Sequence, residues 1–317
     1  MQIILFLFVF LNSYIYSENP KNYDIDISNQ SQSKPLPKGS YLIPFSKELD
    51  LLWVFDKLPS ENCSIIVDPK EFPWVLCDNR FLTAPYYSRI FISEKPINYM
   101  VWLDNGSIFA VSRDELAVVD IKKKKDDLNK EIENIKLKFL GMAKLDGMRI
   151  FPGENNSLYI LGRDIENGLN KLFVLTYKNG NPSFSFITAT KEKINSITGD
   201  GDIAFVVIGK KVIKLYRPDG KKEYAAKTIF ENPDLQINNI HYTSSAGIFY
   251  SSSKGIGYIG DNYWLEFFSA ENPEFVMKND SIFVKLSKNQ GVIKINGITA
   301  FKKKDAVIKI KQQDVKK

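Results

Sequence analysis

Ile194-Asn195-Ser196-Ile197-Thr198-Gly199-Asp200-Gly201-Asp202-Ile203-Ala204-Phe205-Val206-Val207-Ile208-Gly209-Lys210-Lys211-Val212-Ile213-Lys214-Leu215-Tyr216-Arg217-Pro218-Asp219-Gly220 sets short apolar runs between clusters of turn residues. Runs this short, rich in Ile, Val, Phe and Tyr, favour strands over helices. Gly199-Asp200-Gly201 and Pro218-Asp219-Gly220 carry the Gly, Asp and Pro that tight connections require. Together with Glu223 to Ile229, the stretch predicts a four-stranded meander of Ile194–Thr198, Asp202–Ile208, Lys211–Arg217 and Glu223–Ile229.

The pattern returns along the chain. Ile97-Asn98 leads to Gly106-Ser107-Ile108-Phe109, just as Ile194-Asn195 leads to Asp202-Ile203-Ala204-Phe205 and Ile237-Asn238 to Gly247-Ile248-Phe249-Tyr250. Weaker copies run from Met148-Arg149 to Ser157-Leu158-Tyr159-Ile160 and from Glu274-Phe275 to Ser281-Ile282-Phe283-Val284. Successive copies begin about 40 to 50 residues apart, the period of propeller blades. The expected fold is all-β, a single β-propeller of about six four-stranded blades. Leu49 to Phe55 has no blade of its own and is expected to pair with the last unit, closing the ring and removing exposed strand edges. Ala306 to Ile310 is the alternative outer strand. Two packed sandwiches are the alternative architecture, and would instead pair Leu49 to Phe55 with an internal segment.

The N-terminus reads differently. Ile3 to Leu11 is an unbroken apolar run followed by the small residue Ser17, so residues 1–17 are expected to be a signal peptide. An uncleaved anchor is the alternative, because no Lys or Arg precedes the run. Residues 18–39, rich in Asn, Ser, Gln, Lys and Pro, predict a disordered linker. The propeller is expected over 40–311, with a basic tail at 312–317. No later run approaches the roughly 20 apolar residues of a membrane span. The expected location is periplasmic or extracellular, and the expected state a monomer.

An exported chain meets compartments in which disulfides persist. If Asp68 to Phe72 is a hairpin turn, Cys63 and Cys77 lie equally far from its centre at Lys70 and face each other across two strands. A Cys63–Cys77 disulfide is therefore expected. The alternative is a pair of reduced, packed thiols.

The net charge of +6 includes the compact runs Lys122–Lys125 and Lys302–Lys304. Asp126, Asp127, Glu131 and Glu133 follow the first run at once, so no nucleic-acid partner is expected. The C-terminal lysines are a candidate contact for an anionic surface, against the plainer reading of a solvated tail. Catalytic signatures are sparse. His241 is the single histidine, no Gly-x-Ser-x-Gly elbow or His-Glu-x-x-His helix occurs, and Asp200-Gly201-Asp202 is not followed by the Glu of a calcium loop. No catalytic residue and no protein metal ligand is assigned. The candidate ligand-binding set is Asn98, Asn195 and Asn238, at the start of successive innermost strands, with Arg149. Amides in such a ring orient small polar ligands, whereas the structural alternative has them satisfying backbone groups at the strand entry. Trp53, Trp74, Tyr86 and Tyr87 either form a contact patch or fill the space between blades.

These repeats, and segments such as Gly209-Lys210-Lys211-Val212-Ile213-Lys214-Leu215-Tyr216-Arg217-Pro218-Asp219-Gly220, resemble the six-bladed β-propellers of the NHL and lactonase-like type over roughly Leu49 to Ile310. WD signatures are absent, and no subfamily is indicated. The resemblance implies that a lactonase-like member would hold a divalent cation at the channel mouth with carboxylates and Asn. Here the ring has Asn without a Glu or Asp set, so no cofactor is expected, the cation being the alternative. The function expected is a noncatalytic binding or scaffold module for an envelope protein or polymer. The alternative is a metal-dependent hydrolase or lactonase acting at the channel mouth.

Overall fold

Short β-branched and aromatic runs bury themselves by pairing, and here they pair in successive antiparallel meanders. The computed structural model describes residues 41–42, 49–85, 90–125, 131–141, 145–178, 181–219, 221, 223–260, 264–287 and 289–302. The expected signal peptide, linker and basic tail lie outside these residues, as do Tyr86, Tyr87 and Ala306–Ile310.

Two strands, β1 (Tyr41–Leu42) and β2 (Asp50–Phe55), precede a meander of β3 (Cys63–Val67), β4 (Pro73–Cys77), β5 (Phe81–Thr83) and β6 (Ile90–Ser93). The next is β7 (Tyr99–Trp102), β8 (Ile108–Ser112), β9 (Glu115–Lys125) and β10 (Glu131–Phe139). It is followed by β11 (Asp146–Pro152), β12 (Ser157–Arg163), β13 (Asn170–Lys178) and β14 (Asn181–Thr190). The fourth meander is β15 (Ile194–Gly199), β16 (Ile203–Ile208), β17 (Lys211–Tyr216) and β18 (Ala225–Glu231). Its third strand stops one residue early, where the Arg217 guanidinium sits 4.6 Å from the centre of the Tyr224 ring. Then come β19 (Asn239–Thr243), β20 (Gly247–Ser251), β21 (Gly255–Ile259) and β22 (Trp264–Ser269), and finally β23 (Glu274–Lys278), β24 (Ser281–Lys285) and β25 (Val292–Asn296).

The last three strands are completed from the other end of the chain. β2 pairs antiparallel with β25, from Asp50 opposite Asn296 to Phe55 opposite Val292, giving the order β2-β25-β24-β23. β1 adds to the outer edge of β22. One pairing has no counterpart in the sequence reading: β6 and β10 run parallel through Asn134 opposite Ile92 and Ile135 opposite Ser93, joining two meanders into an eight-stranded sheet. Lys122–Lys125 form the end of β9. The register sets Glu131 opposite Lys125 and Glu133 opposite Lys123.

The first strands touch in the cyclic order β3, β7, β11, β15, β19, β23 and back to β3, which makes a propeller-like ring of sheets. Apolar clusters fill the spaces between neighbours. Trp74, Leu82, Phe91, Met100 and Ala110 join the first two meanders, while Tyr159, Leu172, Ile197 and Val206 join the third to the fourth. Trp53, Phe249, Phe275 and Phe301 pack between the fifth meander and the closing sheet. Trp53 and Trp74 are thus 5% and 4% exposed and fill gaps between sheets rather than forming a contact patch. Cys63 lies directly opposite Cys77, and the two form a disulfide across β3 and β4 with a Cα–Cα distance of 4.0 Å. Both are buried with Val54, Phe55, Val75 and Phe283, where the closing sheet meets the first meander.

Candidate functional site

A meander that starts at one end of the ring returns to it through the turn between its second and third strands. The Asn and Arg candidates therefore share the strand-entry end with the β8–β9 and β12–β13 turns. Asn98 precedes β7, Asn195 is the second residue of β15, and Asn238 precedes β19. Each Asn follows a buried Ile, at Ile97, Ile194 and Ile237, whose burial fixes where the chain enters the ring. The Asn98 carboxamide oxygen accepts a bond from the Arg113 backbone N–H at 3.4 Å, as the structural alternative expects. Asn195 and Asn238 behave differently: their side chains take part in no hydrogen bond among the described residues. Arg149, from β11, reaches the next meander and donates to the carbonyls of Asn195 at 3.0 Å and Ile194 at 2.5 Å. Burial pushes its guanidinium down from the ordinary value, and the Tyr99 hydroxyl opposes that shift.

Beneath this entry runs a polar relay that the sequence pattern located one residue off. The Ser196 hydroxyl donates to the Asn239 carboxamide at 2.5 Å and accepts from the Ile240 N–H at 3.1 Å. The Asn239 amide meets His241 Nε2 at 3.4 Å and donates to the Phe275 carbonyl at 3.3 Å. His241 stacks edge-on against Phe275, with ring centres 4.8 Å apart. Burial lowers its pKa to about 4, so it is a neutral, enclosed ring. The Asn238-Asn239 doublet was the available signal: of two adjacent amides, the one inside the strand joins the relay.

The opposite end of the channel is tied together from turn to turn. Asn279, after β23, donates to Glu71, after β3, at 2.6 Å, and Lys294 pairs with the same carboxylate at 3.1 Å. Lys278 pairs with Asp104 in the β7–β8 turn. The Asn156 carboxamide accepts from the Asn105 N–H at 2.6 Å. Glu154 accepts from the Ser244 N–H at 2.8 Å and from its hydroxyl at 3.2 Å, and Lys302 donates to the Ser244 carbonyl. Tyr159 is buried between the third and fourth meanders. Its hydroxyl donates to the Ile203 carbonyl at 2.8 Å and accepts from the Gly201 N–H at 3.0 Å.

Among the described residues no three of His, Cys, Asp and Glu gather as metal ligands. At the entry the Arg149 guanidinium donates to the Asn195 backbone carbonyl, and its positive charge there opposes a bound cation.

No family model matches the sequence, and no curated protein does. Solved structures do match. A gluconolactonase from Xanthomonas campestris superposes with a TM-score of 0.53 at 10% identity, over 78% of this chain and 89% of that one. The chain shares the β-propeller fold of that enzyme. A luciferin-regenerating enzyme superposes with a TM-score of 0.50 at 9% identity, over 79% of this chain and 96% of its own. Identities this low carry the architecture and leave the chemistry to the site. Among the described residues, no helix is long and apolar enough to cross a membrane.

Proposed function

We propose that this chain is an exported, noncatalytic propeller of six four-stranded blades that binds an envelope protein or polymer at its strand-entry mouth. In this reading the eight-stranded sheet is two blades joined through their outer strands, and β2 closes the sixth blade. The observation that carries the binding role is that the amides of Asn195 and Asn238, half-exposed and exposed, take part in no hydrogen bond among the described residues, while Arg149 pins the Asn195 carbonyl. Unpaired donors and acceptors held on rigid strand entries are the preorganised elements that a polar ligand requires. The enclosed, neutral His241 supports a role without acid–base chemistry. Export is supported by the Cys63–Cys77 disulfide and by the apolar N-terminal run.

The test is retention of the purified chain by native envelope fractions, compared with Asn195→Ala/Asn238→Ala. The wild type is expected to be retained and the variant released, with equal unfolding midpoints. Equal retention of both proteins, or a stoichiometric divalent metal in the purified chain, refutes the proposal. The metal would favour a hydrolase or lactonase.

A further inference from the structure

Between the second and third meanders, at the strand-entry end, lies an open cleft of about 450 Å³. It lies beside the channel mouth but does not depend on the Asn ring. Arg113 and Asp114 reach it from the β8–β9 turn, Leu145 and Asp146 from the entry of β11, and Arg163 and Ile165 from the β12–β13 connection.

Its charged groups are unequally occupied. The Asp114 carboxylate accepts the Met148 N–H at 3.1 Å. Asp164 is paired with Lys171 and accepts the Glu166 N–H at 3.0 Å. Arg163 uses one donor, its Nε, on the Gly168 carbonyl at 3.1 Å, which leaves the two terminal nitrogens of its guanidinium. The Arg113 guanidinium has no bond among the described residues. Beside these unused donors, Ile165 stands 70% exposed. Arg113 also sits in an unfavourable backbone conformation. With Asp114 it forms a turn in which both residues have positive φ, at 50° and 60°. The other non-Gly positions of this kind are Asn or Asp, apart from Glu71, and Asn, Asp and Gly are the residues that suit such a turn.

We propose that this cleft binds an extended peptide segment that presents a carboxylate next to an aliphatic side chain. The carboxylate lies between the Arg113 and Arg163 guanidiniums, whose planar donors match it in pairs. The aliphatic group covers Ile165, and exposed Asp146 accepts a peptide N–H. A dianionic phosphate is the poorer occupant, because three aspartates line the same cleft and oppose a second negative charge.

The test uses the full chain and four probes, followed by calorimetry and amide chemical-shift changes at low and moderate salt. They are acetyl-Ala-Leu-Ala with a free C-terminal carboxylate, the same tripeptide amidated, acetyl-Ala-Leu-Asp-amide, and inorganic phosphate. At least one carboxylate peptide is expected to bind 10-fold or more tightly than the amidated tripeptide, and which one does so separates a chain end from an acidic side chain. Arg113→Asn and Arg163→Gln are each expected to weaken it at least 5-fold. Arg113→Asn should hold or raise the unfolding midpoint, since Asn suits the turn, so lost binding cannot be attributed to lost folding. Asn195→Ala/Asn238→Ala should leave peptide affinity unchanged, so failure of the mouth proposal and failure of this one are distinguishable. Equal affinity for acid and amide, or phosphate binding as tightly as the best peptide, overturns the proposal.

Discussion

Breaking the Cys63–Cys77 crosslink should destabilise the chain without altering its fold. The bond closes a sequence separation of 14 residues. On the chain-entropy model, a loop of about 15 residues restricts the unfolded ensemble by about 3 kcal/mol at 25 °C. The five register pairs of β3 and β4 remain to hold the hairpin once the bond is gone, so the loss falls mainly on the unfolded state. For a domain of this size, 1 kcal/mol corresponds to about 2 to 4 °C, which gives a drop of about 6 to 12 °C in the unfolding midpoint. Cys63 and Cys77 are 3% and 0% exposed, so reductant added to the folded protein should act slowly. The comparison therefore needs protein that has been unfolded, reduced, alkylated and refolded, alongside Cys63→Ala/Cys77→Ala. Calorimetry supplies the midpoints, and mass spectrometry before reduction counts the thiols. Two free thiols in the native protein, or a midpoint shift under about 2 °C, would refute the reasoning.

Tyr159→Phe removes a hydroxyl that serves both the Gly201 N–H and the Ile203 carbonyl. It should cost about 1 to 3 kcal/mol in urea unfolding, and a neutral result would mean water replaces the hydroxyl. Gly199→Ala would place a Cβ 2.0 Å from the Ile203 carbonyl oxygen, against backbone. A loss of about 1 to 3 kcal/mol is expected, and an unchanged midpoint would show that the β15–β16 turn can yield. His241 is held neutral with its pKa lowered to about 4. An unfolded His titrates near 6.5, so the unfolded state takes up its proton first as pH falls. Its contribution is complete above about pH 6.5, declines as pH falls toward 4, and totals at most about 3 kcal/mol. Urea unfolding from pH 8 to 4 should show that slope in the wild type and a flatter one in His241→Gln. Parallel profiles would contradict the assignment.

The ring was legible because its cause is local. Each meander needs alternating strand residues and turn chemistry at a fixed period, and Gly199-Asp200-Gly201 states that chemistry in the sequence itself. The Cys63–Cys77 pairing was legible for the same reason, since one hairpin centre fixes both positions. The parallel pairing of β6 with β10 was not. It depends on two outer edges meeting in space, and neither Ile92 nor Asn134 carries a local mark of it. The site was half-legible: the Ile-Asn repeat marks each strand entry, but which amide is occupied depends on neighbours in adjacent meanders. Asn239 meets Ser196 and is occupied, while Asn238, one residue earlier, makes no hydrogen bond among the described residues.

That difference gives the two ends of the channel different uses. At the turn end, Glu71, Asp104 and Glu154 each answer a group on another sheet, so their charges brace the ring. A ligand there must displace existing ion pairs and hydrogen bonds before it gains its own, and any buried group left unpaired costs about 1 to 3 kcal/mol. At the entry end, Arg149 grips two carbonyls of the neighbouring strand and Asp114 accepts the Met148 N–H from the next meander. Among the described residues, the amides of Asn195 and Asn238 and the guanidinium of Arg113 make no hydrogen bond there. A rigid framework with unfilled donors and acceptors loses little on binding. The proposed recognition is therefore expected at the strand-entry end, where Arg149 grips the neighbouring strand and the amides and the Arg113 guanidinium would supply the contacts.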